Sequence, residues 1–190
     1  MNTSIQGNMT VPASPTVWQA IAYAQTQVPL QCRLPEGKSR EDLLEGHLIE
    51  WLVATTPEDM GVLLRFHIEY DALRHATLRA LYGPGEGGCD GADYSAMWLI
   101  LQGERAHRAM VELPDFFDSI CLAVEGRIQH EMYPDRHAQQ RLLDTGKFAG
   151  CEHLLDLDFL VANGIEPEAV TNSYSIHRCV HPERKQSAGQ

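Results

Sequence analysis

The chain has no C-x-x-C pair. Its five cysteines, Cys32, Cys89, Cys121, Cys151 and Cys179, are odd in number and widely scattered. That spacing argues against a disulfide framework or a zinc ribbon and predicts reduced thiols in a cytoplasmic protein. Long apolar runs are missing as well, the longest clean one being Met97 to Leu101, so no segment is expected to span a bilayer. The opening MNTSIQGNMTVPASP lacks the basic and apolar regions of a secretory signal. Basic residues are few: 15 Lys and Arg face 26 Asp and Glu, for a formal net charge of -11. A field of that sign repels phosphate backbones and anionic lipid, which argues against direct nucleic-acid or membrane binding. It favours cationic partners and keeps the chain soluble.

Alternating β-branched runs long enough for a strand are absent, and so is any repeat of 20 to 50 residues. What remains is helical periodicity. Pro15 stands at the first position of a helix capped by Ser14, with Val17, Ile21, Ala24 and Val28 on one face and Pro29 as its stop. Ser39 and Asp42 form a capping box for a second helix striped by Leu44, Leu48, Trp51 and Leu52. Thr56, Pro57, Glu58 and Asp59 read as the start of a third: an N-cap hydroxyl, a proline at N1 and two carboxylates at the positive end of the helix dipole.

The third helix is expected to run to Tyr82 and end at Gly83, with Leu63, Phe66, Tyr70, Leu73, Thr77 and Leu81 as its main stripe. Leu64, Ile68 and Leu78 lie off that stripe, so two of its faces need cover and the helix should be central. After a glycine-rich connection, one helix is expected from Asp93 to Leu113, carrying Tyr94, Met97, Trp98 and Leu101. A further amphipathic segment carries Phe117, Ile120, Cys121, Val124, Ile128 and Met132 before Pro134. Shorter helices follow at Arg136 to Asp144, at Lys147 to Ala162 and from Pro167. The expected architecture is all-α, one domain of seven or eight helices over 15–181. A loose arm over 1–14 precedes it and a polar tail over 182–190 follows.

Nine histidines raise the question of metal. Glu104 and His107 form E-x-x-H, but the second copy that a carboxylate-bridged di-iron bundle requires is missing. His47 and Glu50 give the reversed order, and His67, Asp71 and His75 lie along one side of the third helix. The plainer reading places His67 beside the core and Asp71 with His75 on a solvated or partner-facing edge. His177, Cys179 and His181 converge only on an extended chain and need a fourth ligand, which Cys151 or His153 could offer. Gly83, Gly85 and Gly88 match G-x-G-x-x-G, yet they follow a helix rather than a strand and are flanked by acids, so they read as a linker. No G-K-[ST] follows them, no serine lies in G-x-S-x-G, and no catalytic residue, metal or cofactor is assigned.

Apolar residues off their helical stripes are then the informative ones: Trp18, Leu64, Ile68 and Leu122 are the candidate partner-binding residues. Leu122, with Asp115 and Asp118 nearby, would suit an interface with a cationic rim. The run EGHLIEWLVATTPEDMGVLLRFHIEYDALRHATLRALYG, from Glu45 to Gly83, together with the overall length, resembles the quorum-threshold antiactivator family. The resemblance implies a regulator that binds LuxR-type, acyl-homoserine-lactone-responsive transcription activators and lowers their activity or abundance, with no catalytic residue to carry over. The alternative is a metal-dependent helical enzyme built on Glu104, His107 and the His67, Asp71, His75 set. Both readings leave self-association open.

Overall fold

The fold was obtained as a computed structural model, which describes residues 14–56, 61–83, 90–113 and 132–145. These residues are 79% helical, form six helices and include no strand. In chain order they are α1 (Pro15–Gln27), α2 (Arg40–Thr55), α3 (Gly61–Tyr82), α4 (Asp90–Leu101), α5 (Glu104–Val111) and α6 (Pro134–Asp144). The expected segments around Phe117 to Ile128, Lys147 to Ala162 and beyond Pro167 lie outside the described residues. So do the proposed arm up to Ala13 and the tail from Pro182.

The main core collects one face from each of several helices. Val17, Ile21, Ala24 and Val28, the stripe expected of α1, are all buried, and they meet Leu44, Leu48 and Leu52 of α2. Leu63, Phe66, Tyr70 and Leu73 of α3 complete the cluster with Met97, Ile100 and Leu101 of α4, and Ala138 and Leu142 of α6. Each such large side chain contributes roughly 1.5–3 kcal/mol on full burial. α3 packs against each of the other five described helices and is the central element. Its off-stripe Leu78 is covered by Ala92 and Ala96 of α4, so α4 closes the second apolar face at that end.

Local signals set several boundaries. The Ser39 hydroxyl accepts from the Asp42 amide (3.0 Å) and the Asp42 carboxylate accepts from the Ser39 amide (2.7 Å), the reciprocal capping box at the start of α2. Gly83 takes φ +84 and its amide donates to the Arg79 carbonyl, closing α3 in the left-handed conformation that glycine adopts without a Cβ penalty.

Three expectations are corrected. The single helix from Asp93 to Leu113 is two, because Gly103 takes φ +89, stops α4 and caps α5. Thr56 is the C-cap of α2. It ends α2 with α-helical dihedrals, and its hydroxyl donates back to the Leu52 carbonyl at 2.6 Å; Pro57 to Asp59 lie outside the described residues. Ser14 occupies the cap position of α1, but its side chain makes no capping hydrogen bond. The capping carboxylate comes from elsewhere in the chain.

Candidate functional site

α1 begins with Pro15, which has no amide hydrogen, so Thr16 and Val17 carry the amides that the helix ladder leaves open. Glu69 of α3 takes both: its Oε2 accepts from the Thr16 amide (2.7 Å) and the Val17 amide (3.0 Å). Its Oε1 accepts from the Thr16 hydroxyl at 2.9 Å. At the other end of α1, the Gln25 amide donates to the Leu101 carbonyl, the last residue of α4, at 2.9 Å. Polar side chains thus tie α1 down at both ends, while its apolar face supplies the burial.

The polar side of α3 is a series of separate pairs. His67 Nδ1 lies 2.5 Å from Oδ2 of Asp135, a buried carboxylate at the start of α6. Asp71 pairs with Arg74 (3.2 Å) and with His75 (3.5 Å), and Arg74 also reaches Asp93 of α4 (2.5 Å). Burial alone would raise the Asp71 pKa, but hydrogen bonds and charge from His75 and Arg74 outweigh it and hold the carboxyl well below its usual range. The hydrogen bond with Asp71 raises His75 in return. Tyr70 donates from its hydroxyl to the Met132 carbonyl (3.3 Å), and burial, with the charge of Asp135 adding to it, pushes its ionisation far above the ordinary range.

The His67, Asp71, His75 series is therefore divided between a carboxylate on α6 and a local cluster with Arg74. Glu104 and His107 are divided too. Glu104 is exposed and paired with Arg108 at 2.7 Å. His107 is fully buried, with Nε2 2.7 Å from the Thr77 hydroxyl and its ring tilted on Trp18 at 5.4 Å. The Thr77 hydroxyl also contacts the Leu73 carbonyl at 2.7 Å and has one proton to give. If that proton goes to Leu73, His107 must donate from Nε2, which leaves its Nδ1 a bare acceptor. Nδ1 has no hydrogen-bond partner among the described residues. Burial lowers the His107 pKa to about 4, so the ring is neutral at neutral pH.

His47 and Glu50 form a 2.8 Å pair at the surface of α2. Among the described residues no three His, Cys, Asp or Glu side chains come together in a way that could hold a metal ion. Cys151, His153, His177, Cys179 and His181 lie outside the described residues. So does the glycine pair Gly85 and Gly88.

Of the candidate partner-binding residues, Trp18 is half-buried against the main core and His107. Leu64 and Ile68 are half-buried one turn apart on α3, and neither belongs to a described hydrophobic cluster or packs against one. Leu122 lies outside the described residues. Among the described residues the large apolar side chains that are most open are different ones: Leu30 (84% exposed), Leu113 (60%), Leu34 (41%) and Tyr23 (39%). Leu30 and Leu34 belong to the connection between α1 and α2, where Cys32 packs inward between them. Helical periodicity passes over such positions, but the bracket of Pro29 and Pro35 marks them, because a segment without a helical face has few ways to bury a leucine.

No described helix is long and apolar enough to cross a membrane. Comparison with known proteins finds no matching family model, no matching curated protein and no matching solved structure.

Proposed function

We propose that the chain is a cytoplasmic regulator that acts by binding another protein. Its partner in this reading is a LuxR-type, acyl-homoserine-lactone-responsive activator, whose activity or stability it lowers so that the quorum response starts later. The observation that carries the reading is the placement of Leu64 and Ile68, one turn apart on the central helix yet outside every described apolar cluster. Each retains part of the roughly 1.5–3 kcal/mol that full burial of such a side chain provides. Trp18 and Leu122 complete the proposed contact set.

The named partner rests on the resemblance of Glu45 to Gly83 to the quorum-threshold antiactivator QteE, a stretch that contains both α3 residues. The net charge of -11 supports a partner with a cationic rim. The reading takes the full helical complement to be seven or eight and involves no catalytic residue or cofactor.

The test is co-expression with a LuxR-type activator, followed by co-purification and DNA-binding measurements. Association, or a fall in activator stability or DNA binding, is expected, and Leu64→Asp with Ile68→Asp should abolish it while far-UV circular dichroism stays unchanged. The proposal fails if the unaltered chain neither associates nor changes the activator.

A further inference from the structure

No Asp, Glu, Lys, Arg or His precedes Arg33, so all 15 basic and 26 acidic residues, and with them the whole net charge of -11, lie from residue 33 onward. The structure gives this asymmetry a location. α1 alone among the six described helices has no charged residue, and its outward face presents Gln19, Ala22, Tyr23 and Thr26 to solvent. A solvated helix ordinarily carries charges on that face. α2 exposes Glu50, α3 exposes Arg65 and Arg79, and α6 exposes Arg136, Arg141 and Asp144. From the end of α1 the uncharged surface runs directly into Leu30, the most exposed large apolar side chain described, and stops at the exposed Arg33.

From this we infer that the outer face of α1, with Leu30, is a self-association surface whose occupant is the same face of a second copy. The charge distribution selects that occupant. A strongly charged partner would lose hydration against α1 and find no opposite charge there, whereas it would find many elsewhere on the chain. Two copies of a molecule with net charge -11 repel one another over most approaches, and α1 is a face on which they meet without opposing carboxylates. A two-fold arrangement places each residue of the patch opposite the same patch, so one neutral surface is complementary to itself.

The size of the patch sets the strength. A helix of 13 residues is about 20 Å long. Its outer face alone therefore falls short of the roughly 800 Å² per partner of a standard stable interface. Leu30 has to take part, and the dimer is expected to be weak and reversible, in the micromolar range or above. Added salt strengthens it, because screening weakens the repulsion between the acidic remainders and there is no attractive charge pair to lose. This inference stands independently of the antiactivator reading.

Sedimentation velocity on the full chain, from low to several hundred micromolar and at low and high sodium chloride, tests it. A monomer–dimer equilibrium that shifts toward dimer with salt is expected. Ala22→Glu and Leu30→Glu should each weaken it by about tenfold or more, since each buries an unpaired charge at the interface. Both side chains are exposed, so circular dichroism, and the thermal midpoint at low concentration where the parent is monomeric, should not move. Gln140→Glu, which adds the same charge on the outer face of α6, should leave the equilibrium as it was. A wild-type chain that is monomeric throughout overturns the inference, and so does a dimer indifferent to both Ala22→Glu and Leu30→Glu.

Discussion

Glu69 grips Thr16 twice, through the backbone amide at 2.7 Å and the hydroxyl at 2.9 Å, although 53 residues separate them in the chain. The same carboxylate takes the Val17 amide, so a side chain of α3 serves as the N-terminal cap of α1. The proline at N1 and the positive end of the helix dipole both suit a carboxylate at this place.

Glu69→Ala should therefore destabilise the fold by about 1–3 kcal/mol, the cost of opening amides at a helix start together with a charge-assisted bond. Glu69→Gln keeps one acceptor oxygen and should lose less. Urea denaturation gives the free energies. Amide exchange at Thr16 and Val17 locates the effect, which should be faster in Glu69→Ala than in the parent.

His107 makes stability depend on acid. Its folded pKa of about 4 lies below the ordinary value of 6.5, so the unfolded chain binds a proton that the folded chain refuses between those limits. Stability is full above about pH 6.5, falls as pH drops toward about 4 and levels off below it, by on the order of 3 kcal/mol from this group alone. Thermal midpoints of the parent and of His107→Gln across that window provide the check. A slope unchanged by the substitution would contradict the assignment.

Two glycines should respond in opposite directions to alanine. Gly103 has φ +89, and a Cβ there would lie 3.1 Å from the end of the Gln25 side chain. Gly103→Ala should cost about 1–2 kcal/mol, because backbone strain remains even after the flexible glutamine moves away. Gly46 lies within α2, and a Cβ there meets nothing within 4 Å. Gly46→Ala should stabilise by about 0.5–1 kcal/mol. Chemical denaturation of the two variants side by side measures both.

The His67 and Asp135 pair joins α3 to α6, with Asp135 only 2% exposed and its second oxygen without a hydrogen-bond partner among the described residues. A double-mutant cycle of His67→Ala and Asp135→Ala should return a coupling of about 1–3 kcal/mol. A coupling near zero would show the two side chains to be neighbours that do not support each other.

How much of this was legible depends on the range of the interaction. The Ser39–Asp42 box could be read directly because both partners lie within four residues and the geometry of a helix start brings them together. The α1 stripe and the Gly83 stop were legible for the same reason. Gly103 was not, because a lone glycine inside a helical pattern is tolerated as often as it breaks the helix, and here packing on Gln25 accompanies the break. The partners of His67 and His107 were not legible for a related reason: on α3 and α5 helical spacing fixes direction, while the group facing each of these two rings comes from another helix.

By itself, then, the sequence determined the all-α class, the capping box and stripe of α2, the buried face of α1 and the end of α3. Each of these follows from backbone and side-chain preferences over a few residues. Only the tertiary structure decided that Glu69 caps α1, that His67 belongs to Asp135 and His107 to Thr77, that α4 and α5 are separate, and that Leu30 rather than Trp18 stands open to solvent. Those outcomes turn on which distant groups compete for the same donor, acceptor or apolar surface once the helices pack, and that competition has no local signature.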